Sequence, residues 1–193
     1  WKDDGAEIKS RLSWKKKKPT IRNSAYYFKP GFSWGTISSG GFSARYSPEG
    51  ALFDNGGCTL FTDNINQLNI FGSYLNSAVA SRYLEFLSPT LNFQPGDIGR
   101  LLFPSKALSI KTNTESCIAI AKRDWDLFER SWDFDSSPLL SEKSLTDAYY
   151  TFEKRCKTDS LALKELEEEN NSAFAKGFGL YEQIDSKVSI EKV

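Results

Sequence analysis

Near Pro104 the hydrophobic pattern of this chain changes period, and one architecture cannot serve both sides of the change. Upstream, residues 25–28, 36–38, 42–46, 52–53 and 59–61 are short aromatic or β-branched pieces. Clusters of Gly, Pro, Ser and Asn at 29–31, 39–41, 47–50 and 55–57 separate them, the pattern of strands joined by tight turns. Residues 68–71 read as a further strand. Leu75, Val79, Tyr83 and Leu87 then recur every four residues, with Ala78 and Phe86 beside them. That spacing predicts a helix with one apolar face, ended by Pro89. Residues 90–99 read as an extended piece and a turn. Downstream, Ile118, Ala121, Trp125, Phe128 and Trp132 step by three and four until Pro138. Tyr149, Phe152, Cys156, Leu163, Leu166 and Asn170 then step as heptads, with Asp159 as a polar interruption, and Gly177 and Gly179 are expected to stop the helix. Two such helices on a short link should pair antiparallel. The expected fold class is therefore α+β. Residues 1–105 form a small mixed β-sheet domain with a packed helix, its first twenty residues basic. Residues 106–193 form an antiparallel, coiled-coil-like helical pair.

The charges are distributed as unevenly as the hydrophobic pattern. Residues 1–48 carry ten Lys/Arg against three Asp/Glu, a balance of +7. Residues 49–114 stand at −1 and residues 115–193 at −6. An anionic partner would therefore meet the N-terminal part. The chain has no histidine, which removes Ser-His-Asp and Cys-His pairs and most transition-metal sites. It has neither a G-x-x-x-x-G-K-[ST] phosphate loop nor a G-x-G-x-x-G turn. The acidic pairs Asp124/Asp126 and Asp133/Asp135 flank Trp125 and Trp132, and read as a solvated face beside a buried one. Cys58, Cys117 and Cys156 are widely spaced and read as reduced, largely buried thiols. The chain starts at Trp1 and contains no Met, so it reads as a piece of a longer polypeptide. No apolar run approaches the roughly 18 residues of a membrane helix, and the expectation is a soluble, cytoplasmic protein.

Particular stretches of wording carry a resemblance. Tyr26-Tyr27-Phe28-Lys29-Pro30-Gly31-Phe32-Ser33-Trp34 is followed by Ile37-Ser38-Ser39-Gly40-Gly41-Phe42-Ser43-Ala44-Arg45-Tyr46. Leu75-Asn76-Ser77, Pro89-Thr90-Leu91-Asn92-Phe93-Gln94-Pro95-Gly96-Asp97-Ile98, Asp124-Trp125-Asp126 and Ser131-Trp132-Asp133-Phe134 come next, in that order. Pro138-Leu139-Leu140 and Leu166-Glu167-Glu168-Glu169-Asn170-Asn171 complete the set, with Phe174 and Gly179-Leu180 after them. Over most of residues 20–185 this resembles the C-terminal half of the adenine-specific DNA methyltransferases of bacterial phage-exclusion (BREX and phage-growth-limitation) systems. More distantly, it is similar to the specificity subunits of type I restriction enzymes. The resemblance implies target recognition on double-stranded DNA. The chain departs from the full family pattern in lacking the Asn-Pro-Pro-Tyr methyl-transfer motif and the glycine-rich S-adenosylmethionine loop. The resemblance therefore implies no cofactor here, with S-adenosylmethionine held by a catalytic domain N-terminal to Trp1.

A recognition region must hold phosphates and read base edges. Lys15, Lys16, Lys17, Lys18 and Arg22 are candidate phosphate contacts, the alternative being a solvated charge run. Ser38, Ser39, Ser43 and Arg45, around the Gly40-Gly41 turn, are candidate base readers. Arg45 suits a bidentate guanine contact, or else pairs with a nearby carboxylate. Asn92 and Gln94 can present amides to adenine, or cap the turn before Asp97. Trp34, Tyr26 and Tyr27 read as core rather than stacking platforms. Candidate partners are DNA, the enzyme's own catalytic domain and other defence-system subunits. The competing function is a protein-interaction module that does not touch DNA; an independent enzyme is disfavoured by the missing motifs.

Overall fold

A computed structural model describes residues 2–11, 21–54 and 56–192. Its sheet has three strands, β1 (Gly31–Gly35), β2 (Arg45–Ser47) and β3 (Gly57–Leu60), in the order β2-β1-β3. Gly31 pairs with Ser47 on one side of β1, and Phe32 pairs with Leu60 on the other. Both pairings are antiparallel, so the sheet is not mixed. The links from β1 to β2 and from β2 to β3 carry no crossover helix, which parallel neighbours would need. The pieces at 25–28 and 52–53 stay outside the sheet, the first forming a 3₁₀ turn at Ser24–Tyr26.

The helices are α1 (Ala6–Arg11), α2 (Ile65–Leu75), α3 (Ala78–Leu87), α4 (Pro95–Ile98), α5 (Thr114–Trp125) and α6 (Leu145–Phe178). Residues 68–71, expected as a strand, lie inside α2. The Asn64 side chain caps this helix, accepting from the amides of Asn66 at 2.9 Å and Gln67 at 3.3 Å. Leu68, Gly72 and Leu75 then fall on one helical face. A four-residue apolar run carries no period of its own, and the cap decides. The helix expected from Leu75 to Leu87 begins only at Ala78. Asn76 closes α2, and Ser77 caps α3 through the Ala80 amide at 3.3 Å.

Two hydrophobic clusters organise these elements. In the first, Phe32, Trp34 and Ala44 pack with Leu68, Leu75, Leu84, Phe93 and Ile98, so α2 and α3 lie on the sheet. Phe32 meets α2 at Gly72, where a Cβ would sit 2.1 Å from the ring. In the second, Tyr74, Val79 and Ala80 pack with Phe174 and Ala175 of α6, with Phe103 and Phe178 alongside. The C-terminal half of α6 thus belongs to the same packed body as the sheet.

Helices α5 and α6 run antiparallel, as their pattern predicts. Asn170 accepts from the Asn113 amide at 2.9 Å near one end, and Arg123 pairs with Asp159 at 2.7 Å near the other. Asp159, the interruption in the heptads, is therefore a cross-helix ion partner. Gly179 ends α6 at φ 75°, with the Leu180 amide closing back on the Ala175 carbonyl at 2.7 Å. The other helix stops at Trp125, earlier than its spacing implies. Beyond it, Lys122 bridges Asp126 and Asp133, and Ser131 donates to Asp126 at 2.6 Å. This turn lowers the Asp126 carboxyl from its ordinary value, chiefly through the hydrogen bond from the Lys122 ammonium. Because the helical stripe ends there, Trp125 and Trp132 are not the buried side of a helix; Trp132 is 102% exposed. No helix among the described residues is long and apolar enough to cross a membrane.

Candidate nucleic-acid interface

The sheet carries a polar rim whose backbone is held at several points. From the end of β1 the chain runs through 36–38 beside 91–93. The Ser38 amide donates to the Leu91 carbonyl at 2.9 Å, and the Phe93 amide to the Thr36 carbonyl at 2.7 Å. Ile37 and Asn92 form a bridge between the two segments. Below them the Trp34 indole N–H donates to the Phe93 carbonyl at 3.0 Å. Trp34 and Phe93 are buried, and Phe42 packs on both rings. An aromatic floor thus fixes the rim, in keeping with Trp34 as core. Tyr26 instead stacks on Phe61 at the surface, and Tyr27 meets Phe53 edge-on.

This ladder sets Ile37 opposite Asn92 and Ser38 opposite Leu91, with Ser39 beyond one end and Gln94 beyond the other. Ser39, Asn92 and Gln94 are exposed and Ser38 is half-buried. The two amides are joined: Gln94 Nε2 donates to Asn92 Oδ1 at 2.6 Å. Asn92 Nδ2 has no protein hydrogen bond among the described residues, whereas Gln94 is the N-cap of α4 and its side chain and that of Asp97 form a capping box. The turn that follows is held by Asp97, whose carboxylate accepts from the Gln94 amide N–H at 3.2 Å and pairs with Arg100. At the loop tip a Cβ on Gly40 or Gly41 would meet nothing within 4 Å, and Gly41 has φ +89°. The backbone there is open to approach.

Ser43 and Arg45 lie at the other end of the same loop, both exposed, flanking Ala44, which is 6% exposed. Arg45 starts the edge strand β2 opposite Ser33 and makes no ion pair among the described residues. Ala44 is gripped by Asn76, whose Oδ1 accepts from the Ala44 amide at 2.8 Å while its Nδ2 donates to the Ala44 carbonyl at 2.8 Å. Sequence reasoning passed over Asn76 as a functional residue. The signal available was a polar side chain between Leu75 and Ser77 that interrupts an apolar helical run.

Of the phosphate candidates, Arg22 is exposed. Lys15, Lys16, Lys17 and Lys18 lie outside the described residues. Lys29 is engaged, 3.5 Å from Asp63 and over the Tyr26 ring. The cysteines are unbridged and half-buried, and burial raises all three thiols, Cys117 to about 11. They are therefore thiols rather than thiolates at neutral pH, and poor nucleophiles. Among the described residues no group of three or more Cys, Asp or Glu could hold a metal ion.

No protein-family model matches the chain. Curated relatives do. The adenine-specific methyltransferase PglX of Lacticaseibacillus casei (strain Zhang) is 35% identical over 209 aligned residues, which cover 100% of this chain. This chain is similar in sequence to one segment of PglX-type adenine-specific methyltransferases. The adenine-specific methyltransferase BrxX of Escherichia coli O9:H4 (strain HS) is 34% identical over 159 residues, covering 81% of this chain. The aligned region is 17% of PglX and 12% of BrxX, so the chain spans a small part of the length of the methyltransferases it matches.

Proposed function

We propose that this chain is the DNA target-recognition region of an adenine-N6-specific methyltransferase of bacterial phage defence, with methyl transfer performed by another part of a longer polypeptide. The relatives are adenine-specific methyltransferases. Nothing in this sequence matches a methyl-transfer motif or a glycine-rich cofactor turn, and on this reading S-adenosylmethionine is held by another part of the polypeptide. The recognition half of the task then falls to it. An enzyme acting on one adenine must select it by the surrounding sequence and take it out of the stack to reach it. A surface fixed relative to the duplex supplies that selection.

The observation that carries the reading is the pinned polar rim over an aromatic floor. Base reading needs donors and acceptors held in defined geometry on a rigid support. With Gln94 bonded to Asn92 and capping α4, the pair leaves one donor, Asn92 Nδ2, on the rim. Adenine N7 offers the matching acceptor in the major groove. Arg45, which makes no ion pair among the described residues, brings a guanidinium to the end of the 36–44 loop, suited to guanine O6 and N7. Ser38, Ser39 and Ser43 add hydroxyls that suit either kind of base. Arg22 and the Lys15–Lys18 run supply phosphate contacts. Selection from a random duplex library tests this: the chain enriches a defined site, and Arg45→Ala relaxes the preference at one position. Enrichment of no sequence contradicts it.

A second reading is favoured by a different observation. Trp125, Phe128, Trp132, Leu140, Leu145 and Tyr150 are all exposed around the α5–α6 connection, among Asp124, Glu129, Asp133 and Asp135. Isolated exposed apolar residues are ordinary, whereas a group of aromatics is characteristic of a protein contact. In this reading the helical arm docks on the rest of the methyltransferase polypeptide, or on a partner subunit of the defence complex, and recognition of DNA is secondary. With the remainder of the methyltransferase supplied as a separate chain, a Trp125→Ser/Trp132→Ser variant should lose association while keeping DNA binding.

A further inference from the structure

The loop carrying Ser43 and Arg45 is anchored at one residue by a side chain in place of a neighbouring strand. Asn76 uses both ends of its amide, Oδ1 accepting from the Ala44 N–H and Nδ2 donating to the Ala44 carbonyl, each at 2.8 Å. Nδ2 also donates to the Gly72 carbonyl of α2 at 3.3 Å. Ala44 directly precedes β2, and this is the paired donor and acceptor that an adjacent strand would offer it. The anchor itself is rigid. Asn76 sits between Leu75, buried in the sheet cluster, and Ser77, which is buried, donates to the Tyr74 carbonyl at 2.6 Å and caps α3.

We propose that Asn76 is a positioning residue for sequence selectivity: it holds Ala44 so that Ser43 and Arg45 meet the base edges at a fixed height and angle. This rests on the loop being the base-reading surface. The chemistry requires asparagine. Aspartate keeps the acceptor but sets a carboxylate oxygen against the Ala44 carbonyl, glutamine is one methylene too long for this separation, and leucine offers neither bond. Arg45 is exposed and makes no ion pair among the described residues, so its backbone anchor governs where its guanidinium can reach. A bidentate arginine contact discriminates strongly only within narrow hydrogen-bond geometry.

The test compares wild type, Asn76→Asp and Asn76→Ala in three measurements on the intact chain. These are affinity for the selected site, affinity for random duplex, and hydrogen exchange at the Ala44 and Phe174 amides. The expected result is an affinity ratio of selected to random duplex that falls about tenfold, within the range of one lost bidentate contact. Random-duplex affinity stays within about twofold, because phosphate contacts do not depend on the loop. The Ala44 amide exchanges faster in Asn76→Ala, which loses its acceptor, while Phe174 keeps its protection in both variants. An unchanged ratio overturns the positioning role and leaves the recognition reading standing. So does a parallel fall in both affinities with loss of protection at Phe174, since that marks a general structural role. Absence of DNA binding by wild type, with the Ala44 exchange effect intact, instead overturns the recognition reading, and the positioning role with it.

Discussion

The sheet body and the helical arm treat their aromatic residues in opposite ways. In the body, Phe32, Trp34 and Phe93 are buried, and the polar side chains Ser39, Ser43, Arg45, Asn92 and Gln94 stand outside. In the arm, Trp125, Phe128, Trp132 and Tyr150 stand outside, and where it joins the body the buried residues include the polar Thr114, Asn170 and Asn171. The same helix crosses from one regime to the other: α6 is exposed at Leu145, Tyr149 and Tyr150 and buried at Phe174 and Ala175. The body buries its central aromatics and offers hydrogen-bonding groups outward, although Ile37, Leu52, Phe86, Leu91 and Leu102 stay exposed on it. The arm offers apolar surface outward, as half of an interface does. On the proposed reading, the ligand with a hydrogen-bond pattern belongs to the body and a protein surface to the arm.

The largest effect should come from breaking the join between the two. Phe174 is 0% exposed and packs against Tyr74 at 5.5 Å between ring centroids. Phe174→Ala should cost about 3–5 kcal/mol, seen as a lower urea midpoint. Loss of the helical signal and the near-ultraviolet aromatic signal together would make body and arm one cooperative unit. Two separate transitions would divide them.

Next comes Arg45→Ala, which should leave the urea midpoint unchanged. It should cost about 1–3 kcal/mol of discrimination between the selected site and a substituted one, measured by competition binding. A loss of stability instead would move Arg45 from the ligand side of the comparison to the packing side.

A smaller effect concerns the C-terminal tail. Glu168 accepts from Lys164 at 2.6 Å, from the Val188 amide at 3.1 Å and from Lys187 at 2.9 Å. These bonds hold its carboxyl down at about 2, against an ordinary value of 4.5. A depressed carboxyl adds stability that is fully present above its unfolded value and lost as pH falls through the folded one. Docking of residues 185–188 should therefore be pH-independent above about pH 5 and weaken between about 4.5 and 2. The Val188 amide resonance should follow this titration in wild type, and Glu168→Gln should abolish it. A midpoint near the ordinary glutamate value would show that the tail does not engage Glu168.

The smallest effect is expected at the most exposed aromatic. Trp132→Ser should change stability by no more than about 0.5 kcal/mol in a denaturant titration, because nothing packs on the side chain. A larger loss would bury Trp132 and remove the arm's half of the comparison.

How much of this could be read in the sequence follows the range of the forces involved. The antiparallel helical pair, the Gly179 stop and the α+β class were legible, because heptad spacing and a C-terminal glycine act locally. The strand expected at 68–71 was wrong because the Asn64 cap lies outside the apolar run that suggested it. The expected burial of Trp125 and Trp132 failed because the Lys122, Asp126 and Asp133 turn ends α5 before the stripe can continue. Ser38, Ser39, Asn92 and Gln94 were each picked out by residue type, but the pairing of 36–38 with 91–93 depends on a ladder between segments more than fifty residues apart. No pattern along the chain reports such a ladder. Asn76 is the same lesson at one residue: its partner is Ala44, and only the fold joins them.

The most direct test of the central claim is fluorescence anisotropy of the chain with duplex DNA across a salt series, for wild type and for a variant with Lys15–Lys18 reversed in charge. Wild type is predicted to bind with log K falling against log salt at a slope of about −4 to −5, as expected if about four to six phosphates are neutralised, and the variant to lose that binding. Absence of binding even at about 20 mM salt, where phosphate contacts are magnified, would contradict the assignment of DNA recognition to this chain.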